Sequence, residues 1–240
     1  MLCLLAALAS AGAAVGQEPE VEIVSTLGGE ADAAIGAAIA HARGLYAEVG
    51  LTLRKPDLPV VTVVLPTVFE LSPAIGSSAG RSRAFSFAGA DSNSIILAWS
   101  APGSPLRAAA HEYAHLVDPL HDAPPWFREG FAEYLSYLER GPAGALVERT
   151  PARHLTRLRD APWLSLEALT RARRDSAEFH ASTFYAQAWL TIGWLVSRGA
   201  PVAQVRPSDL DHALETMGAE AVESALRARF DAMVPAPADG

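Results

Sequence analysis

Two histidines four residues apart, His111 and His115, with Glu112 between them in the run His111-Glu112-Tyr113-Ala114-His115, are the residues of this chain best suited to do chemistry. On a helix, positions i and i+4 lie one above the other. Both imidazoles can then reach one metal ion while Glu112 points along the same surface toward a bound water. A third ligand would complete a catalytic zinc site, in which three protein ligands leave a fourth position to a water whose pKa falls to about 7. Glu129, in the downstream run Pro124-Pro125-Trp126-Phe127-Arg128-Glu129-Gly130-Phe131-Ala132-Glu133-Tyr134, is the candidate. The chemistry expected of such a set is hydrolysis, with Glu112 as general base.

A bare HExxH arises by chance in roughly one chain in a few hundred of this length, so the elements around it decide. Ser104-Pro105 followed by Leu106 to Ala110 has the form of a helix start, with serine as N-cap and proline at the first helical position. The histidines are therefore expected on a helix. Asp118 to Pro125, with three prolines, cannot continue it. A helical pattern resumes from Trp126 to Glu139, with Phe127, Phe131, Tyr134, Leu135 and Leu138 spaced for one buried face. Helix, turn and helix would bring Glu129 back toward the histidines across the thirteen residues 116 to 128.

These stretches, HEYAH followed by WFREGFAEY, resemble the gluzincin zinc metallopeptidases, in the manner of the peptidase-MA-like families. The resemblance implies that His111, His115 and Glu129 are zinc ligands and Glu112 the general base. Glu133, one turn after Glu129, then looks like the acidic residue that orients a ligand histidine. The linker is shorter than in thermolysin-like and aminopeptidase-N-like enzymes, and a Gly-Ala-Met-Glu-Asn stretch is missing, which weighs against an aminopeptidase. A rival reading is open: His111, His115 and His121 reproduce the ligand spacing of a metzincin, with His121 as third ligand. Against it, Asp118 stands at the turn glycine of that pattern, and Met217 lacks the surroundings of a methionine turn.

Upstream, Val21 to Thr26 alternates like a strand, Glu30 to Val49 has helical spacing, and Leu51 to Leu53 and Val60 to Leu65 read as strands. Ala84 to Phe87 pairs plausibly through Gly89-Ala90-Asp91-Ser92 with Ser94 to Trp99. In zincin folds the edge strand beside the histidine helix binds extended substrate. Ile95 to Trp99 occupies the corresponding sequence position, making Ile95 and Leu97 candidate substrate-binding residues. From Ser104 on the pattern is helical. Phe184-Tyr185-Ala186-Gln187-Ala188 resembles the Y-x-K-G segment of aminopeptidase-N-like enzymes, which implies Tyr185 as oxyanion donor, with His180 as the alternative. His41, His154 and His212 lack metal-like spacing and read as surface or satisfied core residues.

The expected fold is α+β and zincin-like, a small mixed sheet-and-helix lobe (17–103) and a helical lobe (104–234) of one domain, with the metal site between them. A composition of 50% hydrophobic residues in 240 is enough for a substantial core. The net charge of −8 argues against nucleic acid as a partner, and Arg171-Ala172-Arg173-Arg174 reads as a solvated helix face. Residues 1–16, rich in Leu and Ala, resemble a signal peptide without its usual basic n-region, so export to a periplasmic or extracellular space is expected, with no stable membrane span after its removal. Cys3, the only cysteine, would leave with it, and residues 235–240 read as a disordered tail. The function expected is zinc-dependent hydrolysis of peptide bonds in a peptide or protein substrate, by an endopeptidase. Hydrolysis of a non-peptide amide and a non-catalytic zinc-stabilised binding module are the alternatives; the intact Glu112 weighs against the module.

Overall fold

The computed structural model describes residues 20–67, 84–100, 104–117, 120 and 122–234. The sequence divides into two compact units, with boundaries at Ala47/Glu48, Gly50/Leu51 and Asp118/Pro119, so the histidine helix falls in the first unit. The fold class is α+β, as expected. The signal-like segment, the tail, Asp118, Pro119 and His121 lie outside the described residues.

The first unit begins with strand β1 (Val21–Ser25), helix α1 (Gly29–Glu48) and strand β2 (Val60–Leu65). Parallel strands need a crossover, and α1 supplies it, burying Ile35, Ile39, Ala42, Leu45 and Tyr46 at helical intervals. Strands β3 (Ala84–Ala88) and β4 (Asn93–Ala98) form an antiparallel hairpin, closed where Gly89 N donates to Ser92 O at 2.8 Å. The sheet order is β1-β2-β4-β3, with β4 parallel to β2. Helix α2 (Pro105–Ala114) follows. The Tyr46 hydroxyl donates to Ala110 O of α2 at 3.0 Å, and its ring meets Tyr113 at 5.9 Å, so α1 and α2 pack side by side.

The register lines up Ile23, Thr62, Ile95 and Ser86 as one row across the four strands. Side chains in such a row share a face, and a Cβ on Gly36 of α1 would stand 3.9 Å from Ile23 Cγ1, which identifies it as the helix-covered face. Thr62 and Ile95 are fully buried there.

Strand β4 is thus an interior strand, and the expectation that it offers a substrate edge is corrected. Ile95 and Leu97 have no exposed surface, and both backbone edges of β4 are already paired. Among the described residues the strand paired on one side only, next to α2, is β3. Leu51 to Leu53 makes no strand either, only a single bridge from Leu53 to Val117.

The second unit contains α3 (Pro125–Ser136), a hairpin of β5 (Leu138–Arg140) and β6 (Leu146–Glu148), then α4 (Ala152–Asp160), α5 (Leu166–Arg171), α6 (Phe184–Ser197), α7 (Pro207–Met217) and α8 (Ala219–Met233). The helix expected through Glu139 stops at Ser136. Tyr137 N closes a tight last turn on Tyr134 O at 3.1 Å, and the chain then reverses, with Gly141 N donating to Ala145 O at 2.9 Å and Gly144 at φ 79°. Leu138 stays buried, but in a strand.

Helix α6 is buried on nearly every side, from Phe184 to Leu195, and forms the axis of this unit. Helix α3 lies so close to it that a Cβ on Gly130 would stand 2.6 Å from the backbone C and O of Ala188. Only glycine permits that approach. Among the described residues no helix is long and apolar enough to cross a membrane.

Candidate metal centre

Helix α2 starts as its sequence requires, with the Ser104 hydroxyl accepting from Arg107 N at 3.4 Å and Pro105 in the first turn. Its last turn tightens, His115 N bonding Glu112 O at 3.2 Å and Leu116 N bonding Tyr113 O at 3.0 Å. The two imidazoles still converge. Their Nε2 atoms are 3.2 Å apart, and the rings meet nearly edge to face at 83°. Two facing ring nitrogens at this distance share either a proton, one ring donating to the other, or a cation. Ligands of a tetrahedral zinc with Zn–N near 2.05 Å stand about 3.3 Å apart, so the observed spacing fits that ion.

Ligand atoms of His111, His115 and Glu129 all lie within 4.8 Å of one another, and this group can hold a metal ion. Two nitrogens and one carboxylate oxygen form a donor set suited to zinc. Both histidines are half-buried, whereas Glu129 is 6% exposed. A carboxylate this buried is costly unless a positive charge accompanies it. Arg174 Nη2 is 3.8 Å from Glu129 Oε1, beyond hydrogen-bond length.

The arginine run is solvated as expected, with Arg171, Arg173 and Arg174 all exposed, but it is not one helix face. Helix α5 ends at Arg171, which pairs with Glu167 at 2.6 Å, and Arg173 lies 3.6 Å from Asp175, while Arg174 turns to Glu129.

Glu112, between the two histidines, accepts a hydrogen bond from the Ser86 hydroxyl on β3, Oγ to Oε2 at 2.7 Å. Sequence reasoning missed Ser86, because only the strand register brings it under α2. Glu133 Oε2 lies 3.3 Å from Nε2 of His154, which is 3% exposed and flanked by the rings of Tyr137 and Trp189. His154 is therefore a core residue. Burial lowers the pKa of nearby Arg157, and the charge of Glu133 pulls it back up.

Tyr185 is half-buried in the first turn of α6, its ring against Phe179 and Phe184 at centroid distances of 5.9 and 5.4 Å. His180 is exposed and packs on Phe179. His41 and His212 are exposed. Ile95 and Leu97 are both enclosed in the sheet core and offer no surface to a substrate. His121 lies outside the described residues.

A half-buried carboxylate, Glu148 on β6, accepts from Arg229 of α8 at 2.7 Å. Burial raises its pKa, opposed by Arg229. The neighbouring Tyr134 is pushed up to about 12, mainly by burial and further by the Glu148 charge. No family model and no curated protein matches this chain.

Proposed function

We propose that this protein is a zinc-dependent peptidase of gluzincin type, with a zincin-like fold. The observation that carries the reading is the convergence of His111 Nε2 and His115 Nε2 at 3.2 Å, with the Glu129 carboxylate in the same group. His111, His115 and Glu129 would hold zinc, which when bound supplies a Lewis acid and a water acidic enough to ionise near neutral pH.

The remaining work falls to the chain's own groups. Glu112 takes the proton of the attacking water and passes it to the leaving amine. Tyr185 donates its hydroxyl to the oxyanion that forms as the carbonyl carbon becomes tetrahedral. An extended peptide would add its backbone along β3, which among the described residues is paired on one side only, the role that sequence order had suggested for β4. By resemblance Glu133 is given the role of orienting a ligand histidine; its contact in the structure is to His154. Export rests on the Leu/Ala-rich residues 1–16.

The test is an unbiased peptide-library digest with zinc content measured in parallel. Wild type is expected to cleave. Glu112→Gln should keep about one zinc per chain and lose about 10² to 10⁴ in turnover. Full turnover in Glu112→Gln would refute the mechanism. Zinc bound by a wild type that cleaves no peptide would favour the zinc-stabilised binding module.

A further inference from the structure

We infer that Ser86 is a positioning residue for Glu112, tying the edge strand of the sheet to the general base; the inference rests on the peptidase reading given above. Three observations converge on it. The Ser86 hydroxyl donates to Glu112 Oε2 at 2.7 Å, a short bond to a charged acceptor. Ser86 ends the cross-strand row Ile23, Thr62, Ile95, whose other members are apolar or buried and pack under the helices. Thr62 carries a hydroxyl in the same row but is fully enclosed, whereas Ser86, half-buried at the row's end, has a carboxylate within reach. Finally, Ala84 and Ala88, two residues to either side of Ser86, share its face, so only small side chains flank the contact with α2.

The consequence is geometric. A free glutamate side chain samples several rotamers, and only some aim an oxygen at the water between the histidines. With Oε2 held by Ser86, the carboxylate is fixed in one orientation and Oε1 remains to accept the water proton. Ser86 also belongs to β3, along which an extended substrate would lie. The strand that positions the substrate would then also position the base that acts beside it.

Partners of this kind, one shell removed from a metal, are worth about 10- to 100-fold when lost. The experiment compares wild type, Ser86→Ala and Ser86→Thr, each loaded with zinc. It follows cleavage of a fluorescein-labelled casein together with the ¹³C resonance of the Glu112 carboxyl, identified as the one missing from Glu112→Gln. In Ser86→Ala, zinc content and KM should stay unchanged, kcat should fall about 10- to 100-fold, and the Glu112 resonance should move. Ser86→Thr, which keeps the hydroxyl, should restore both. An unmoved resonance in Ser86→Ala would overturn the inference, as would an unchanged kcat, or a Ser86→Thr protein that behaves like Ser86→Ala. If wild type cleaves no casein, the peptidase reading loses support, while the resonance still decides whether Ser86 holds the carboxylate.

Discussion

Two carboxylates of the second unit, Glu129 and the half-buried Glu148, are treated in opposite ways. Glu148 is closed off by Arg229 at 2.7 Å, with Gly193 making room, since a Cβ there would stand 2.7 Å from the guanidinium and 3.2 Å from Glu148 Oε1. Glu129 is more deeply buried, yet its arginine stands at 3.8 Å and its oxygen belongs to a group with two imidazole nitrogens. A buried carboxylate with a tight arginine is a structural element, because its charge is already matched. Glu129 is grouped instead with two imidazole nitrogens, a set that can hold a metal ion. That grouping is the reason for proposing Glu129 as a metal ligand.

That difference can be broken first at Arg229. Arg229→Ala leaves Glu148 buried without its partner and should cost about 3 to 5 kcal/mol in urea unfolding, with zinc affinity unchanged. The effect should depend on pH with a definite sign. Burial already raises the folded-state pKa of Glu148. The stability tied to its protonated form is therefore full below the ordinary carboxylate pKa and is lost as pH rises through the folded value. Removing Arg229 raises that folded value further, so the gap between wild type and variant should widen as pH rises above the ordinary carboxylate range. A gap that stays constant or narrows above that range would show that Glu148 is not the buried charge responsible.

A smaller effect is expected at the glycines behind each site. Gly130→Ala forces a methyl against the Ala188 backbone, which cannot yield, whereas Gly193→Ala meets mainly the end of a flexible arginine. Overpacking costs typically about 1 to 3 kcal/mol, and Gly130→Ala should lie at the upper end with Gly193→Ala below it. Because Gly130 adjoins Glu129 on α3, its substitution should also weaken zinc binding, and that of Gly193 should not. Equal losses of stability and of zinc affinity in the two variants would remove the distinction between the two sites.

The smallest effect belongs to Arg174. Its side chain is half exposed, so solvent screens it. Arg174→Gln should tighten zinc binding only about two- to five-fold, and added salt should abolish the gain. Weaker binding in isothermal titration would show that Arg174 supports the ligand set.

Legibility in the sequence followed the range of the interaction. His111 and His115 were readable because helical periodicity is local, and Ser104-Pro105 marked the start of their helix correctly. Glu129 was readable by resemblance and by a turn that prolines enforce. The edge strand was misassigned because sequence order does not give spatial order: β3 precedes β4, yet lies outside it. The same register hid Ser86, whose partner is 26 residues away. Leu138 satisfied a helical pattern and a strand equally well, and the glycines after it decided in favour of the strand. The Glu148–Arg229 pair spans 81 residues and left no pattern at all. Arg174 was grouped with its neighbours by charge, although α5 ends before it.

The most direct test of the central claim is zinc titration, by competition with a chromophoric chelator, of wild type, Glu129→Ala and His121→Ala. Wild type and His121→Ala are predicted to bind about one zinc per chain with similar affinity, and Glu129→Ala to lose about 10²-fold or more. Tight binding retained by Glu129→Ala and lost by His121→Ala would contradict the assignment of Glu129 and make His121 the third ligand.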